Sequence, residues 1–375
     1  MPRNGKVRTV LVGAGRFGIK RAAAIARSRR SELAVIADVD AETARTASEV
    51  YGCPWTTDWH TAVGDESIQA VAVATPTRLL TPIGLAAARA GKHVLVEKPC
   101  AADATELLAL VEAAEASQVC FKGGYNHRFH PAIRSSHELF AQGVIGRLLF
   151  LRCTYGHGGR VGYEKEWRSQ MPLAGGGELL DQGVHALDLF RWFLGEFEEA
   201  TGMVSTAFWP IAPAEDNVFA ILRTSGGAIA QLHASWTHWK NTFTFEAFGE
   251  KGYLRACGLG GSYGTERLCC GLRARPGDVP QEEWTEFPGP DESLAAEWEE
   301  FVEAITSGAH LAVNGMDAWR TMQLTEAIYR SAREGQTARI QPRSAYGNTS
   351  RGTGRDGSST SPLQLATALS PTQKS

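Results

Sequence analysis

Short apolar runs alternate with alanine-rich amphipathic stretches along the first third of the chain. The apolar runs predict β-strands at 9–12, 33–37, 70–74, 93–96 and 119–122. The stretches between them predict helices, among them 19–26, 41–50 and 83–90. Asp103 and Glu106 form a D-x-x-E capping box that marks one more helix start. Repeated strand–helix units of this kind predict an α/β domain over residues 1–125, built on a doubly wound parallel sheet.

The pattern of apolar positions changes after residue 125. Two alternating runs, Val218–Thr224 and Ala228–Trp236, flank a Ser-Gly-Gly turn and predict a β-hairpin. A similar pattern over 242–254 predicts a second hairpin, and amphipathic helices are predicted at 294–306 and 316–333. We therefore expect the second part of the chain to be an α+β domain around a mostly antiparallel sheet.

Composition limits the second domain and bounds the function. We assign residues 126–340 to this domain, because Ser, Thr, Gly and Pro dominate 341–375, which we expect to be a disordered tail. The net charge of -3 favours neither nucleic acid nor a membrane surface as a partner. The seven cysteines include no C-x-x-C pair, and no secretory signal is expected before the first strand. We therefore expect a cytoplasmic protein with reduced thiols.

The first predicted strand leads directly into a glycine-rich turn, Gly13-Ala14-Gly15-Arg16-Phe17-Gly18. Between a strand and a helix, this G-x-G-x-x-G pattern is typical of the dinucleotide-binding Rossmann domain. Gly13 allows the tight turn, Gly15 allows the backbone to approach a pyrophosphate, and Gly18 allows close packing of helix on strand. The helix start would present free backbone N–H groups to the phosphates.

Asp38 follows the second predicted strand, where an acidic residue is expected to bind the adenosine ribose. The alternative is an ordinary β–α turn in which Asp38 caps the next helix. A carboxylate at this position repels a 2′-phosphate, so we predict NAD rather than NADP as the cofactor. Arg16 and the basic run Arg27–Arg30 keep NADP open.

Glu97-Lys98-Pro99 closes the apolar run at 93–96. Ligands of parallel sheets bind beyond the carboxyl ends of the strands, so Lys98 would direct its ammonium group toward whatever lies on the cofactor. The alternative is a surface lysine before a turn-forming proline.

A second candidate site follows the glycine run 175–177. A helix predicted from Leu179 to about Gly195 would place Asp181 and His185 four residues apart on one face, with Asp188 one turn further along. A carboxylate that orients an imidazole is suited to proton transfer near neutral pH. The alternative is a structural pair on a surface helix. No third ligand has matching spacing, so no metal is expected.

Residues just after the last predicted parallel strand are expected near the cleft between the domains. Asn126 and Arg128 could line this cleft, and Arg128 could equally form an interdomain salt bridge. The neighbouring histidines, His127 and His130, are predicted to be packed or solvated rather than catalytic.

A loop rich in glycines, aromatic residues and cations follows. Tyr155, Trp167 and Arg168 are expected to contact the substrate, because aromatic faces cover sugar C–H surfaces and arginine binds phosphate or carboxylate. With Arg160 and Lys165, this loop slightly favours a substrate with an anionic part. An ordinary irregular loop is the alternative.

Together these residues resemble the Gfo/Idh/MocA family, named after glucose-fructose oxidoreductase, inositol dehydrogenase and a rhizopine catabolism protein. The resemblance covers roughly residues 6–340. The motifs that carry it are the glycine turn, Ala74-Thr75-Pro76, Gly91-Lys92-His93-Val94 with Glu97-Lys98-Pro99, Asn126-x-Arg128, the segment from Gly175 to Asp188, and Glu297-Trp298-x-x-Phe301.

The resemblance implies a C-terminal domain whose large open sheet forms the contacts of a homo-oligomer, a dimer or tetramer. It implies an NAD(P)-dependent dehydrogenase that moves hydride between nicotinamide and a secondary alcohol of a sugar, sugar derivative or cyclitol. By position, Lys98, Asp181 and His185 match the catalytic residues of the family. The cofactor-binding residues that it implies, besides the glycine turn and Asp38, are Thr75, Pro76, Glu97 and Lys98. One departure is Leu80, where the family often has a histidine.

For the reaction, we expect His185 to remove the hydroxyl proton and Lys98 to hydrogen-bond the reacting oxygen. Asp181 would orient the His185 imidazole or hold a neighbouring hydroxyl of the substrate. Lys98 could instead carry the proton itself. Two other functions stay open. One is a glycosidase that uses bound NAD in a transient oxidation, and the other is a non-catalytic nucleotide-sensing regulator, which would not need all three residues.

Overall fold

The computed structural model describes residues 5–346, and their first part forms a six-stranded parallel sheet. Its elements are, in chain order, β1 (Val7–Val12), α1 (Arg16–Arg27), β2 (Ser31–Ala37), α2 (Ala41–Tyr51), β3 (Trp55–Thr56), α3 (Trp59–Gly64), β4 (Ala70–Val73), α4 (Thr77–Arg89), β5 (His93–Glu97), α5 (Ala104–Ala116) and β6 (Phe121–Gly124). The strand order is β3-β2-β1-β4-β5-β6, and every pairing is parallel. The predicted doubly wound sheet is confirmed.

Several boundaries differ from the prediction, and β3 and α3 were not predicted. The strand predicted at 119–122 lies at Phe121–Gly124, and α4 begins at Thr77, ahead of the predicted start at 83. α4 runs through Pro82, a residue that disfavours a helix interior. Leu80 and Ile83 are buried against the sheet, so packing outweighs the cost of the proline.

The second part of the chain forms a nine-stranded sheet with helices on one face. Its elements are a 3₁₀ turn (Asn126–Phe129), α6 (Pro131–Ala141), β7 (Leu148–Gly156), two short 3₁₀ turns (Tyr163–Lys165 and Trp167–Ser169), α7 (Met171–Ala174), a π-helical turn (Leu179–Gly183), α8 (Val184–Leu194), β8 (Phe197–Ser205), β9 (Asn217–Thr224), β10 (Ile229–Ser235), β11 (Thr242–Gly249), β12 (Gly252–Cys257), a 3₁₀ turn (Gly261–Tyr263), β13 (Glu266–Leu272), β14 (Gln281–Phe287), α9 (Ser293–Ser307), α10 (Gly315–Glu334), β15 (Ala338–Arg339) and a 3₁₀ turn (Arg343–Ala345).

The order of this sheet is β14-β13-β12-β11-β7-β10-β9-β8-β15. Both predicted hairpins, β9–β10 and β11–β12, pair antiparallel as expected. The β7–β10 pair at the centre is parallel, so the sheet is mostly antiparallel. Because β7 enters between β10 and β11, the sheet is not a simple succession of hairpins.

The two faces of the nine-stranded sheet differ in their covering. One face packs with α6, α8 and α10 in an apolar core that includes Phe190, Leu222 and Ile328. On the opposite face, alternate side chains of β9 stay exposed, and Phe219 and Ile221 show 50% and 55% of their surface. Antiparallel sheets commonly cover one face only, so this arrangement leaves large apolar side chains exposed on the other face.

α9 and α10 join the two sheets. Trp298 of α9 is buried in the core between the parallel sheet and α1, and its indole N–H donates to Ser31 Oγ at 2.9 Å. Trp319 of α10 packs with α5, and its indole N–H donates to Ala104 O at 3.0 Å. Helices late in the sequence thus complete the core of the first domain and hold the domains together.

The chain beyond β15 first continues along α10. Gln323 Nε2 donates to Gln341 O at 2.6 Å, and Tyr346 OH donates to Glu326 at 2.9 Å. The rest of the segment predicted to be a disordered tail, 347–375, lies outside the described residues. Among residues 5–346, no helix combines the length and apolar character needed to cross a membrane.

Candidate active site

The glycine turn joins β1 to α1 and leaves one backbone face open. Gly13 has a φ of +93°, and a Cβ there would lie 2.6 Å from Ala74 O. A Cβ on Gly18 would lie 1.9 Å from Gly13 O, so this position also excludes a side chain. A Cβ on Gly15 would meet nothing within 4 Å, and no side chain caps the first turn of α1. The open face and the free N–H groups of α1 suit a phosphate group.

Asp38 follows β2 and faces the glycine turn. Its carboxylate accepts hydrogen bonds from Ala14 N at 2.7 Å and from Asp40 N at 3.0 Å. Burial raises the pKa of Asp38, against the effect of these two bonds. The side chain that caps α2 is Asp40, which accepts from Thr43 N at 3.2 Å. Asp38 is therefore not a helix cap, and its oxygens keep lone pairs for ribose hydroxyl groups.

A cleft of about 610 Å³, open to solvent, extends from the start of α1 across the carboxyl ends of β4 and β5. Its lining includes Phe17, Thr75, Glu97, Lys98, Trp167, Arg168, Leu180 and Asp181. The hydroxyl of Thr75 is buried and has no hydrogen-bond partner among the described residues. Pro76 precedes α4 at the edge of the cleft, and Arg16 is exposed at the start of α1. The open glycine turn, Asp38 and the unpaired Thr75 hydroxyl fit a bound dinucleotide.

Lys98 lies at the carboxyl end of β5 and contacts the second domain. Its Nζ donates to Asp181 Oδ1 at 2.9 Å and also to the backbone oxygen of Asp181. The other carboxylate oxygen of Asp181 is 3.6 Å from Arg168 Nε. Burial by itself would raise the pKa of Asp181, but the charges of Lys98 and Arg168 hold that pKa well below its ordinary value. Asp181 is therefore ionised between two cations.

The segment that carries Asp181 is a π-helical turn rather than the first turn of an α-helix. The N–H of Val184 reaches back five residues to Leu179 O. The predicted α-helix from Leu179 is therefore wrong in its first turn, and the four-residue spacing of Asp181 and His185 does not bring their side chains together. Among residues 5–346 Asp181 makes no hydrogen bond to His185 and bonds Lys98 instead.

His185 lies in the first turn of α8 and is buried. Its imidazole stacks on that of His127 with ring centroids 3.7 Å apart and planes at 19°. Tyr125 and Tyr155 contact it edge-on, at 6.0 and 6.4 Å. The Nδ1 atom of His185 has no hydrogen-bond partner in the described part of the chain. Burial, and then the charges of Lys98, His130 and Arg21, lower the pKa of His185 well below its ordinary value, so the ring is neutral at pH 7.

Glu97, beside Lys98, belongs to a buried ion cluster. Arg21 of α1 donates to Glu97 and to Glu297 of α9, and all three side chains are almost fully buried. Burial raises the pKa of Glu97 against the opposing charge of Arg21. This cluster holds the end of β5 to α1 and α9, which restricts the backbone that positions Lys98.

Asn126 and Arg128 point away from the cleft. Asn126 Nδ2 donates to Ser293 Oγ at 2.7 Å. Arg128 donates to both oxygens of Asp188, at 2.6 and 2.8 Å, and to Ala312 O at 2.6 Å. This buried bidentate pair links the 3₁₀ turn after β6 to α8 and to the segment between α9 and α10. Arg128 therefore forms a salt bridge inside the second domain, not the interdomain one that the sequence left open.

The loop after β7 contributes an aromatic ring and a cation to the cleft. The guanidinium of Arg168 lies 4.7 Å from the Trp167 ring, and both residues line the cleft. Arg160 is bound instead by Glu166. Tyr155 OH lies 3.1 Å from His127 Nε2, which fixes the ring stacked on His185.

Two buried ionisable side chains, Glu178 and Arg21, were missed from the sequence. Glu178 is fully buried, and neither of its oxygens has a hydrogen-bond partner of normal geometry among residues 5–346, although the Ser235 backbone approaches it. Burial, and then the Asp181 charge, raise its pKa well above the ordinary value. Arg21 was missed as well. Its only signal was a single arginine among the alanines of a predicted helix, which is too common to be informative.

A parallel sheet that carries a glycine turn, an acidic residue after its second strand and a lysine paired with an aspartate of the second domain is typical of a dinucleotide-binding oxidoreductase. A profile described as "Oxidoreductase family, NAD-binding Rossmann fold" matches residues 7–125, and the profile of the GFO/IDH/MocA C-terminal domain matches 133–255. The chain belongs to the Gfo/Idh/MocA family, and its first domain is an NAD-binding Rossmann domain.

Relatives of known name cover different shares of the chain. Levoglucosan dehydrogenase of Pseudarthrobacter phenanthrenivorans is 30% identical over 249 residues, which are 59% of this chain and 63% of that protein, less than two thirds of its length. Inositol 2-dehydrogenase of Rhizobium meliloti is 29% identical over 346 residues, 88% of this chain and 97% of that protein. A structure of levoglucosan dehydrogenase in complex with NADH and levoglucosan superposes with a TM-score of 0.81 at 25% identity, covering 90% of this chain and 100% of the other.

Proposed function

We propose that the protein is an NAD-dependent oxidoreductase that transfers hydride between nicotinamide and a secondary alcohol or ketone of a sugar, sugar derivative or cyclitol. The observation that carries the proposal is the meeting of Lys98 and Asp181 in a cleft that begins at the glycine turn, with the neutral ring of His185 nearby. The names of the relatives, levoglucosan dehydrogenase and inositol 2-dehydrogenase, support this class of substrate.

The residues that would hold the cofactor are those of the glycine turn, Asp38 and Thr75. The backbone N–H groups at the start of α1 would bind the pyrophosphate, and the Asp38 carboxylate would accept hydrogen bonds from the ribose hydroxyls. A 2′-phosphate would meet the negative charge of Asp38, which supports NAD over NADP. When bound, NAD⁺ supplies the hydride acceptor for alcohol oxidation.

Three side chains would divide the proton and charge transfer. As the carbinol C–H bond breaks and its hydrogen leaves as hydride, the O–H bond also breaks, and the neutral imidazole of His185 accepts the proton, leaving a ketone. Lys98 donates a hydrogen bond to the reacting oxygen and stabilises negative charge that builds there. Asp181, fixed between Lys98 and Arg168, keeps the ammonium group in place and can accept a hydrogen bond from a neighbouring hydroxyl of the substrate.

The test is to incubate the purified protein with NAD⁺ and a panel of aldoses, inositols and anhydrosugars, and to follow NADH formation with product identification by mass spectrometry. We expect Lys98→Ala and His185→Ala each to lower kcat about 10²–10⁴-fold while the NAD affinity, measured by calorimetry, stays close to wild type. Arg160→Ala, which removes a cation bound to Glu166, is the matched control and should retain activity.

Near-normal turnover in either alanine variant would remove that residue from the mechanism. Hydrolysis of an aryl glycoside by the wild-type protein without net NADH formation would contradict the proposed dehydrogenase and support the glycosidase alternative.

Assembly and location complete the proposal. We infer a homo-oligomer formed through the open face of the nine-stranded sheet, because large apolar side chains such as Phe219 and Ile221 are exposed there. All seven cysteines are free thiols, which supports a reducing compartment such as the cytoplasm.

A further inference from the structure

We propose that His127 is a positioning residue that sets the ring plane of His185 by face-to-face stacking. The inference rests on the proposed function for its catalytic consequence, whereas the stacking itself can be measured without any substrate. The sequence assigned His127 to packing, and no partner of known role was expected for it.

The geometry of the stack is close. The imidazole centroids of His127 and His185 lie 3.7 Å apart with planes at 19°, and the two side chains are 5% and 4% exposed. Since Asp181 bonds Lys98 and Nδ1 of His185 has no partner among residues 5–346, no hydrogen bond at that atom orients the ring of His185. The aromatic contacts of the His185 ring within residues 5–346 are the face of His127 and the edges of Tyr125 and Tyr155.

His127 is itself firmly held, as a positioning residue must be. Its Nε2 lies 3.1 Å from Tyr155 OH, and its Nδ1 lies 3.4 Å from Asn126 Oδ1. Phe243 and His130 contact the ring edge-on, at 5.8 and 5.3 Å. The ring plane of His127 is therefore fixed by contacts with β7, with β11 and within the turn that carries it. Stacking then imposes the same orientation on the ring of His185.

The charges around the pair favour two neutral rings. The charges of Lys98 and His130 act on both imidazoles, Arg21 also acts on His185, and His185 disfavours a proton on His127. Burial comes first among the causes that lower the pKa of His127 and of His185 well below the ordinary value. A neutral His185 held in one plane can accept a proton from a substrate hydroxyl, whereas a freely rotating ring would lose this alignment.

The experiment compares His127→Leu, which removes the stacking ring, with His127→Phe, which keeps a ring but no nitrogen atoms. We expect H127L to lower kcat about 10²-fold with little change in KM, because a small misplacement of a catalytic group has an effect of that size. H127F should restore most of the lost kcat. The matched control is H137L, since His137 stacks on Trp192 at 3.8 Å and neither residue lines the cleft.

A readout free of activity separates this inference from the proposed function. The ring protons of His185, assigned by NMR, should carry an upfield ring-current shift in the wild type and in H127F and lose it in H127L. An unchanged shift in H127L, or equal loss of kcat in H127L and H127F, would overturn the inference. If no polyol is oxidised by the wild type while the shift behaves as expected, the proposed function fails and the stacking role stands.

Discussion

Lys98 illustrates how the neighbours of a side chain determine its chemistry. A lysine at the end of a strand is an ordinary surface residue unless its ammonium group has an ion-pair or hydrogen-bond partner. Here Asp181 accepts its hydrogen bond at 2.9 Å, and Arg168 lies on the other side of the same carboxylate. This group of two cations and one anion has a net positive charge, which suits an oxygen that becomes negative during reaction.

Asp38 provides a test of cofactor choice. We expect Asp38→Ser to weaken NAD binding and to reduce the difference in affinity between NAD and NADP, because it removes the carboxylate that we propose binds the ribose and repels a 2′-phosphate. Dissociation constants for both nucleotides, measured by calorimetry, check this. Asp40→Ser is the control, since serine preserves the helix cap and Asp40 does not face the glycine turn. Unchanged selectivity in D38S would contradict the role of Asp38.

Glu178 provides a test of buried charge. In the unfolded chain the pKa of the Glu178 carboxyl is about 4.3, whereas in the folded protein this pKa is higher, so the proton is kept to a higher pH. The folded state therefore binds an extra proton between the two values, and the wild type loses stability as pH rises through that window, by up to about 1.4 kcal/mol per pH unit.

Glutamine at this position does not titrate, so Glu178→Gln should gain stability relative to the wild type as pH rises from 5 to 8. Urea denaturation at several pH values measures the difference. Glu164→Gln, at an exposed carboxyl, is the control and should follow the wild type. A difference between E178Q and the wild type that does not vary with pH would show that the pKa of Glu178 is not raised.

Irregular elements, rather than the long helices and strands, shape this site. The π-helical turn at Leu179–Gly183 rotates Asp181 away from His185 and toward Lys98. The 3₁₀ turn after β6 places His127 against His185 and sends Arg128 into the body of the second domain. Each of these segments is short, and each is held by contacts with residues far away in the chain.

The Arg128–Asp188 pair is one of these contacts, and it is buried and bidentate. Arg128→Met should destabilise the protein by about 3–5 kcal/mol, because it leaves the buried carboxylate of Asp188 without its partner. Arg134→Met is a suitable control, since Arg134 pairs with Glu138 on the exposed surface of α6, where such pairs contribute about 0–1 kcal/mol. Chemical denaturation of both variants gives the comparison, and equal effects would contradict a structural role for Arg128.

The whole molecule is a parallel sheet and a mostly antiparallel sheet joined by two helices. α9 and α10 follow β14 in the chain but pack on the first sheet, so residues of both domains lie together in two buried apolar clusters. The cofactor cleft lies where β5 and the glycine turn face the π-helical turn of the second domain. The second domain leaves the far face of its sheet uncovered.

The open face gives a prediction about assembly. Phe219→Glu combined with Ile221→Lys should dissociate the proposed oligomer, because charged side chains would be buried without partners in an apolar interface. Light scattering after size exclusion measures the mass. Val50→Glu, a substitution of an exposed valine on α2 of the first domain, should leave the mass unchanged. A monomeric wild-type protein would contradict the proposal.

The sequence by itself determined the features that depend on local order. Five of the six strands of the parallel sheet and most of its helices, the glycine turn, Asp38 and the position of Lys98 at a strand end follow from the period of apolar residues and from motifs a few residues long. Both hairpins of the second sheet were predictable for the same reason, since each consists of neighbouring strands and a glycine turn.

The tertiary structure alone decided which side chains meet. Lys98 and Asp181 are 83 residues apart in the chain, and Arg128 and Asp188 are 60 apart. The stacking of His127 on His185 and the π-helical turn also depend on packing between distant elements. Helical spacing predicts that Asp181 and His185 are partners. A buried carboxylate is stabilised by nearby positive charge, however, and the fold places Lys98 and Arg168 beside Asp181. Local patterns carry no record of such long-range electrostatics, which is why the partners of Asp181 and His185 could only be read from the folded chain.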